Sequence, residues 1–393
     1  MSNSYQILHN IRILDFTWVL AGPYATRILA DFGAEVIKVQ PLMSESGDKF
    51  DRGYYNTWNR NKLGITLNLN KPQGLALAKR LVGISDAVVE NFTPRVMANW
   101  ELDYPSLKKL KPDIIMLSIS TMGQTGPWRD YVGFGPTVQA FSGITYLTSF
   151  PGKPPLGLGT SYADHIAGLI ACLALLGALE YRQRTGEGQY IDVSQVEAMS
   201  SLLGSAVLDY TLNGKEVKPV GNSSTHAAPY GVYRCRGDDR WCAIAVFNDE
   251  EWEGFKRALG NPIWTEDKRF ATPASRLENS DELDRLVEEW TGKHMAEEVM
   301  ALLQEQGVAA GVVQDASDLA NNPQLRARGF FIELDHPELG KTISDATPIK
   351  LSDTPARYSR AAPVQGQDND YVYKQLLGMS EDEVAELKQQ GVV

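Results

Sequence analysis

The sequence predicts an α/β protein: a parallel sheet with helices on both faces, and then a smaller α+β domain. Three observations carry this. Short β-like runs alternate with helical segments through the first third, the rhythm of βαβ units. A second set of strand and helix patterns follows a shift in composition near Asn213 to His226. The chain has 393 residues, enough for two hydrophobic cores.

Taken in order, Ile11–Phe16 (IRILDF) reads as a buried strand and Gly22–Phe32 as a helix ended by Gly33. Glu35–Val39 and Gly64–Leu69 are the next strands, and Pro72 opens a helix at the favoured first position. Asp86–Glu90 and Ile114–Ser120 complete the set. A loop-rich stretch from Gly123 to Thr160 leads into a long helix over about Asp164–Arg184. Its apolar run, Ile166–Leu179, is shorter than the roughly 18–20 residues of a bilayer span and is expected to be a buried core helix. Tyr190–Val193 reads as a strand and Val196–Leu212 as a helix, closing a first domain at residue 212. After a linker at 213–229, Tyr230–Arg234 and Trp241–Val246 read as strands joined by a tight Gly237-Asp238-Asp239 turn. Helical segments at Asp249–Leu259, Ser280–Thr291 and Ala296–Gln306 fill out the small domain, 230–325. The last helix, Ser380–Gln390, has Ser380 and Glu383 at capping-box spacing.

Composition narrows the function. With 38 Lys+Arg against 49 Asp+Glu the net charge is −11, which argues against a general nucleic-acid binder. Twelve Phe, eight Trp and 16 Tyr exclude a disordered chain. Three cysteines without a C-x-x-C support neither a disulfide framework nor a zinc site. Five scattered histidines without ligand spacing predict no metal. The N-terminus lacks the pattern of a signal peptide. The expectation is a cytoplasmic protein that does not engage a membrane.

Asp164 is the position most suited to chemistry. It stands at the start of the apolar helix, where Asp most often serves as an N-cap. The same helix terminus favours an ionised carboxylate, which is a nucleophile toward an activated acyl group. Position alone leaves both readings open. The loop Asp15–Pro23 after the first strand is either a strand-to-helix turn or a cradle whose N–H groups meet a phosphate or an oxyanion. Val89-Glu90-Asn91-Phe92 ends a parallel strand, where ligands gather. The dinucleotide fingerprint G-x-G-x-x-G is missing after the first strand, where Ala21-Gly22-Pro23 stands, and NAD chemistry is correspondingly disfavoured.

Several phrases together resemble one family: LDFTWVLAGPYATRILADFGAEVIKV, NRNK at Asn59, LNLNKPQG, VENF, GQTGP, YADHIAGL, RTGEGQYIDVS, HAAPYGVYRC and LLGMSEDEVAELKQQGVV. They resemble the family III CoA-transferases, the group of the formyl-CoA and carnitine enzymes, in order and from residue 11 to the C-terminus. The resemblance implies a Rossmann-like large domain that the chain rejoins over 326–393, and two chains interlocked as a homodimer. Some relatives pair two related chains, so a hetero-oligomer is open too. It implies no cofactor beyond the coenzyme A thioester that serves as substrate. An acyl-CoA donor and a carboxylic acid acceptor are the partners. Asp164 attacks the thioester and forms a mixed anhydride; released CoA thiolate then makes an aspartyl-CoA thioester, and CoA leaves on the acceptor.

By the same resemblance Val19, Ala21, Leu67, Asn91 and Phe92 match CoA-contacting positions. Lys71, beside Asn70, and Arg95, near Asn99-Trp100, stand in for cations of the family. Trp18, Leu20 and Phe134 replace polar groups of the formyl-CoA enzymes and imply a larger, partly apolar acid, as in the benzylsuccinate-type branch. Two other enzyme readings stay open: an acyl-CoA racemase of the same fold, and one chain of a two-chain transferase. The racemase needs an acid/base pair, whereas the aligned segment here is Gly133-Phe134-Gly135-Pro136.

Overall fold

β1 (Arg12–Asp15) lies at the centre of a six-stranded sheet. The computed structural model describes residues 6–42 and 50–393. β2 (Glu35–Gln40) and β3 (Leu63–Thr66) extend the sheet on one side of β1. β4 (Ala87–Glu90), β5 (Ile115–Ser120) and β6 (Tyr190–Ser194) extend it on the other. The order is β3-β2-β1-β4-β5-β6, and every pairing is parallel. Chain direction along the sheet reverses between β1 and β4. The loops after these two strands therefore diverge, opening the crevice in which α/β proteins bind ligands.

Side chains alternate across each strand. Ile13, Val36, Ala87, Val89, Ile115 and Leu117 enter one core with the helix Ala21–Asp31 and the long helix Tyr162–Thr185. Leu14, Ile37, Val39, Ile65, Val88 and Met116 enter the other with the helix Pro72–Gly83 and C-terminal residues such as Val372, Tyr373 and Val392. Burial of both faces is what a parallel sheet requires.

The C-terminal stretch runs beside the edge strand β3. Gly64 N–H donates to Asp368 Oδ2 at 2.7 Å, Thr66 N–H to Asn369 Oδ1 at 2.9 Å, and Tyr373 Oη–H to the Thr66 carbonyl at 2.6 Å. These bonds satisfy an edge that would otherwise offer unpaired groups to other chains. Ser380 caps the last helix, Glu381–Gln389, through the expected capping box with Glu383.

The chain divides into two compact units, Met1–Thr145 with Gly157–Glu216 and Leu325–Val393, and Tyr146–Leu156 with Val217–Gln324. In the second unit β7 (Tyr230–Arg234) and β8 (Trp241–Ala245) form the expected antiparallel pair. The Cys235 N–H to Arg240 carbonyl bond of 2.9 Å lengthens the connection beyond the three-residue turn read from Gly237-Asp238-Asp239. A third strand, β9 (Ala309–Val312), pairs with β8. In the first unit β10 (Phe331–His336) and β11 (Gly340–Asp345) form a hairpin.

Two expectations need correction. Val196–Leu212 is not one helix: Gln195–Ser200 and Gly204–Asn213 are separated by a 3₁₀ turn at Ser201–Leu203. The long helix is not buried all round. Ala163, Ala167, Ala171, Leu175 and Ala178 are buried, whereas Leu169, Ile170, Leu173 and Leu176 are exposed. The helix has 24 residues, longer than the apolar run alone, and by length and composition could cross a membrane. Its Ala-rich face instead packs into the core of this sheet.

Candidate active site

The loop after β1 rests on a buried ionic cluster. Asp15 is fully buried. Its Oδ1 accepts from the Thr17 N–H at 2.8 Å and from Thr17 Oγ1 at 2.5 Å, and its Oδ2 from Thr26 Oγ1 at 2.6 Å. Lys38 Nζ lies 3.2 Å from Oδ1 and Lys62 Nζ 3.0 Å from Oδ2. Lys38 also donates to the Thr17 carbonyl. Burial on its own raises the Asp15 carboxyl, but the two ammonium groups and two hydroxyls hold it well below the usual carboxylate range. Burial lowers Lys62 to about 7 against the pull of Asp15. Lys62 further reaches Asn59 Oδ1 at 2.9 Å and the Pro23 carbonyl at 3.0 Å. The NRNK phrase is thus a brace beneath the loop.

Above this brace the backbone is forced. Val19 has φ 61°, a conformation that a β-branched residue adopts only under constraint. Asn91 supplies part of that constraint: its Oδ1 accepts from the Trp18 N–H and its Nδ2 donates to the Trp18 carbonyl, each at 2.9 Å. The loops after β1 and β4 are thereby clamped across the point where the sheet changes direction.

Asp164 enters from the long helix. Ser161 is the N-cap residue and Asp164 lies in the first turn, so it does not cap the helix. Gly168, one turn along the same face, explains the approach: a Cβ there would sit 2.8 Å from the Ala21 carbonyl oxygen. Only a bare backbone lets the long helix come this close to the start of the helix Ala21–Asp31. Burial raises the Asp164 carboxyl above its ordinary value, while His165 and the backbone N–H groups of Asp164 and Ala21 pull it down. Two helix N-termini thus face one carboxylate. Gly135 approaches from the other side, where a Cβ would lie 3.0 Å from Asp164 Oδ2. Gly135→Ala is expected to crowd that oxygen and lower turnover by about 10- to 100-fold with the fold retained; steady-state kinetics beside a melting curve checks it.

These elements enclose a cleft of about 220 Å³. Trp18, Val19, Asn91, Phe92, Phe134 and Asp164 all line it. Among the described residues that line the cleft, Asp164 is the only carboxylate and Arg129 the only cation.

Residues 8–369 match the family model for CoA-transferase family III. The chain belongs to that family. It is similar to the succinyl-CoA–D-citramalate CoA-transferase of Chloroflexus aurantiacus, 37% identical with 98% of each chain covered. It is also similar to the succinyl-CoA–L-malate CoA-transferase alpha subunit of the same species, 34% identical over 98% of this chain and 92% of the relative. Among solved structures, a CAIB/BAIF family protein from Brucella suis superposes with a TM-score of 0.87 at 31% identity, covering 94% of this chain and 99% of that one. As a family III CoA-transferase the chain is an enzyme, and its mixed fold with a parallel six-stranded sheet is the architecture of that neighbour.

The other residues expected at the site do not line this cleft. Leu20 is buried and Leu67 sits in the hydrophobic core, and neither lines the cleft. Ala21 is buried as well and faces Asp164 through its backbone N–H. Lys71 donates to the Gln390 carbonyl. Arg95, exposed, pairs with Asp130 at 3.2 Å between the lining residues Pro94 and Val96. His165, which follows Asp164 and was not expected at the site, packs locally: Nδ1 lies 2.8 Å from the Ser161 carbonyl and the ring stands edge-on to Tyr24 and Trp58.

Ser120, Arg129, Tyr131 and Gln195 line the cleft without having been singled out from the sequence. The position of Ser120 at the carboxyl end of β5 was the available signal.

Glu90, buried at the end of β4, accepts from the Phe92 N–H at 2.8 Å. Burial pushes its carboxyl up to about 7, opposed in part by that N–H. A raised value in the fold means stability present below the ordinary 4.5 and lost as pH climbs through 7. Glu90→Gln should raise the melting temperature at pH 8 and leave it nearly unchanged at pH 4; thermal melts at the two pH values check it.

Proposed function

We propose that this enzyme moves CoA from succinyl-CoA, or a similar short acyl-CoA, to a partly apolar organic acid, with Asp164 as nucleophile. The observation that carries the reading is the carboxylate of Asp164 in the cleft, faced by the first N–H of one helix and held in the first turn of another. The similarity to succinyl-CoA-dependent transferases supports the donor. Trp18, Phe92, Tyr131 and Phe134 support an acid with apolar surface.

The steps conserve the energy of the thioester. An Asp164 oxygen attacks the donor's carbonyl carbon, the C–S bond breaks, and CoA thiolate departs. The resulting mixed anhydride is attacked by the thiolate at the Asp164 carboxyl carbon. The C–O bond breaks, the donor acid leaves, and aspartyl-CoA thioester forms. The acceptor carboxylate attacks that thioester, regenerating an anhydride and thiolate. Thiolate then takes the acyl carbon of the acceptor, and Asp164 is free again. No ATP enters, because every intermediate stays activated. The N–H groups around Asp164 offset charge on the attacking and departing oxygens.

A cleft of about 220 Å³ holds the acyl group and the thioester end, so the CoA phosphates extend past it. Arg95 and Lys71 are proposed for the phosphates, and CoA needs no further cofactor. The exposed apolar residues Leu169, Ile170 and Leu173 on one helix and Val207, Leu208 and Leu212 on another are consistent with a homodimer; the alpha-subunit relative makes a related second chain the other arrangement.

The test is incubation of the purified chain with succinyl-CoA and a panel of acids, with CoA esters followed by liquid chromatography and mass spectrometry. The reading predicts succinate and one new thioester in equal amounts without ATP. Proton exchange at the α-carbon of a chiral acyl-CoA with no acceptor present would contradict it.

A further inference from the structure

Ser120 ends β5 and pairs in register with Ser194, which ends β6, so that Gln195 directly follows the residue opposite Ser120. Each of Ser120 and Gln195 is 7% exposed, and both line the Asp164 cleft. Among the described residues, Ser120 Oγ finds no hydrogen-bond partner. A buried hydroxyl left unpaired costs free energy, so a partner arriving with substrate would recover it. Gln195 presents an amide that both donates and accepts.

Resting on the transferase reading, we propose that Ser120 and Gln195 are specificity-determining residues that bind a hydroxyl substituent on the substrate acid. A hydroxyl matches them because it too donates and accepts. A second carboxylate fits this corner less well. Both residues are neutral, and the cation of the cleft, Arg129, is half-exposed and lies 3.8 Å from Asp130. The acid is therefore hydroxylated and partly apolar, the aromatic wall taking its carbon skeleton.

The experiment measures kcat/KM for 2- and 3-hydroxy acids, both enantiomers, against their unsubstituted counterparts, with succinyl-CoA as donor. Wild type is expected to favour one hydroxy acid by about 10-fold or more, since a polar pocket rejects the analogue that leaves it unpaired. Ser120→Ala and Gln195→Met should each remove that preference, lowering kcat/KM for the hydroxy acid by about 10-fold more than for its counterpart. Ser120→Ala should not lower the melting temperature, because it deletes a hydroxyl with no partner. Equal losses for both acids, or a wild type indifferent to the hydroxyl, overturn the proposal and leave the transferase reading standing. Absence of transfer to every acid overturns both.

Discussion

Asp164→Asn is expected to lower CoA transfer by about 10⁴-fold or more, the scale of losing a covalent nucleophile, and to leave the fold intact. The shape of the side chain is nearly conserved and its charge is not, so the loss reports on nucleophilic attack. The physical setting of Asp164 gives two further signatures. Its carboxyl is raised by burial, so the wild-type enzyme loses activity on acidification at a pH above the ordinary aspartate value of 3.8. Because the folded value is raised, the ionised carboxylate weakens the fold as pH climbs through it. The Asn variant is therefore at least as stable as wild type at pH 8. An inactive variant that melts lower would mean a structural role. Kinetics and melting curves of wild type and variant across pH check all three points.

Asp15→Asn produces the largest loss of stability. It leaves Lys38 and Lys62 buried without an anion, a change that costs about 3–5 kcal/mol when one partner of a buried ionic group is removed. That corresponds to a fall in melting temperature of about 5–10 °C. The depressed Asp15 carboxyl contributes stability at neutral pH that is lost as pH falls through its folded value, so the difference between variant and wild type narrows in acid. Transfer should suffer as well, since Thr17 and the loop that carries Trp18 and Val19 hang on Asp15. Lys62→Met is the milder counterpart, because Asp15 keeps Lys38. Calorimetry at neutral and acid pH tests both.

The sheet was legible where each strand is a short apolar run closed by a breaker, as at Ile11–Phe16 and Ile114–Ser120. β9 was not, because Ala-Ala-Gly-Val carries little β preference and owes its form to pairing with β8. The long helix was legible as a helix, but its exposed Leu169 and Leu173 were not, because an apolar run has no polar face to mark which side is covered. Asp164 was legible as a helix-start carboxylate; its neighbours Gly135 and Ala21 lie far away in sequence and come together only through packing. The ion cluster was hidden for the same reason, since Asp15, Lys38 and Lys62 share no local pattern. The burial of Leu20 and Leu67 was not legible either, because a position in a phrase does not fix the side of the backbone on which a side chain lies. Ser120 and Gln195 become neighbours only through the register of β5 and β6.

The proposed chemistry rests on covalent acylation of Asp164. Intact-protein mass spectrometry after mixing with succinyl-CoA, with hydroxylamine added to trap activated carboxyl groups and peptides mapped afterwards, tests it most directly. A mass change is expected on the peptide that contains Asp164, absent in Asp164→Asn. Active transfer with that peptide unmodified, or with the modification on another residue, would contradict it.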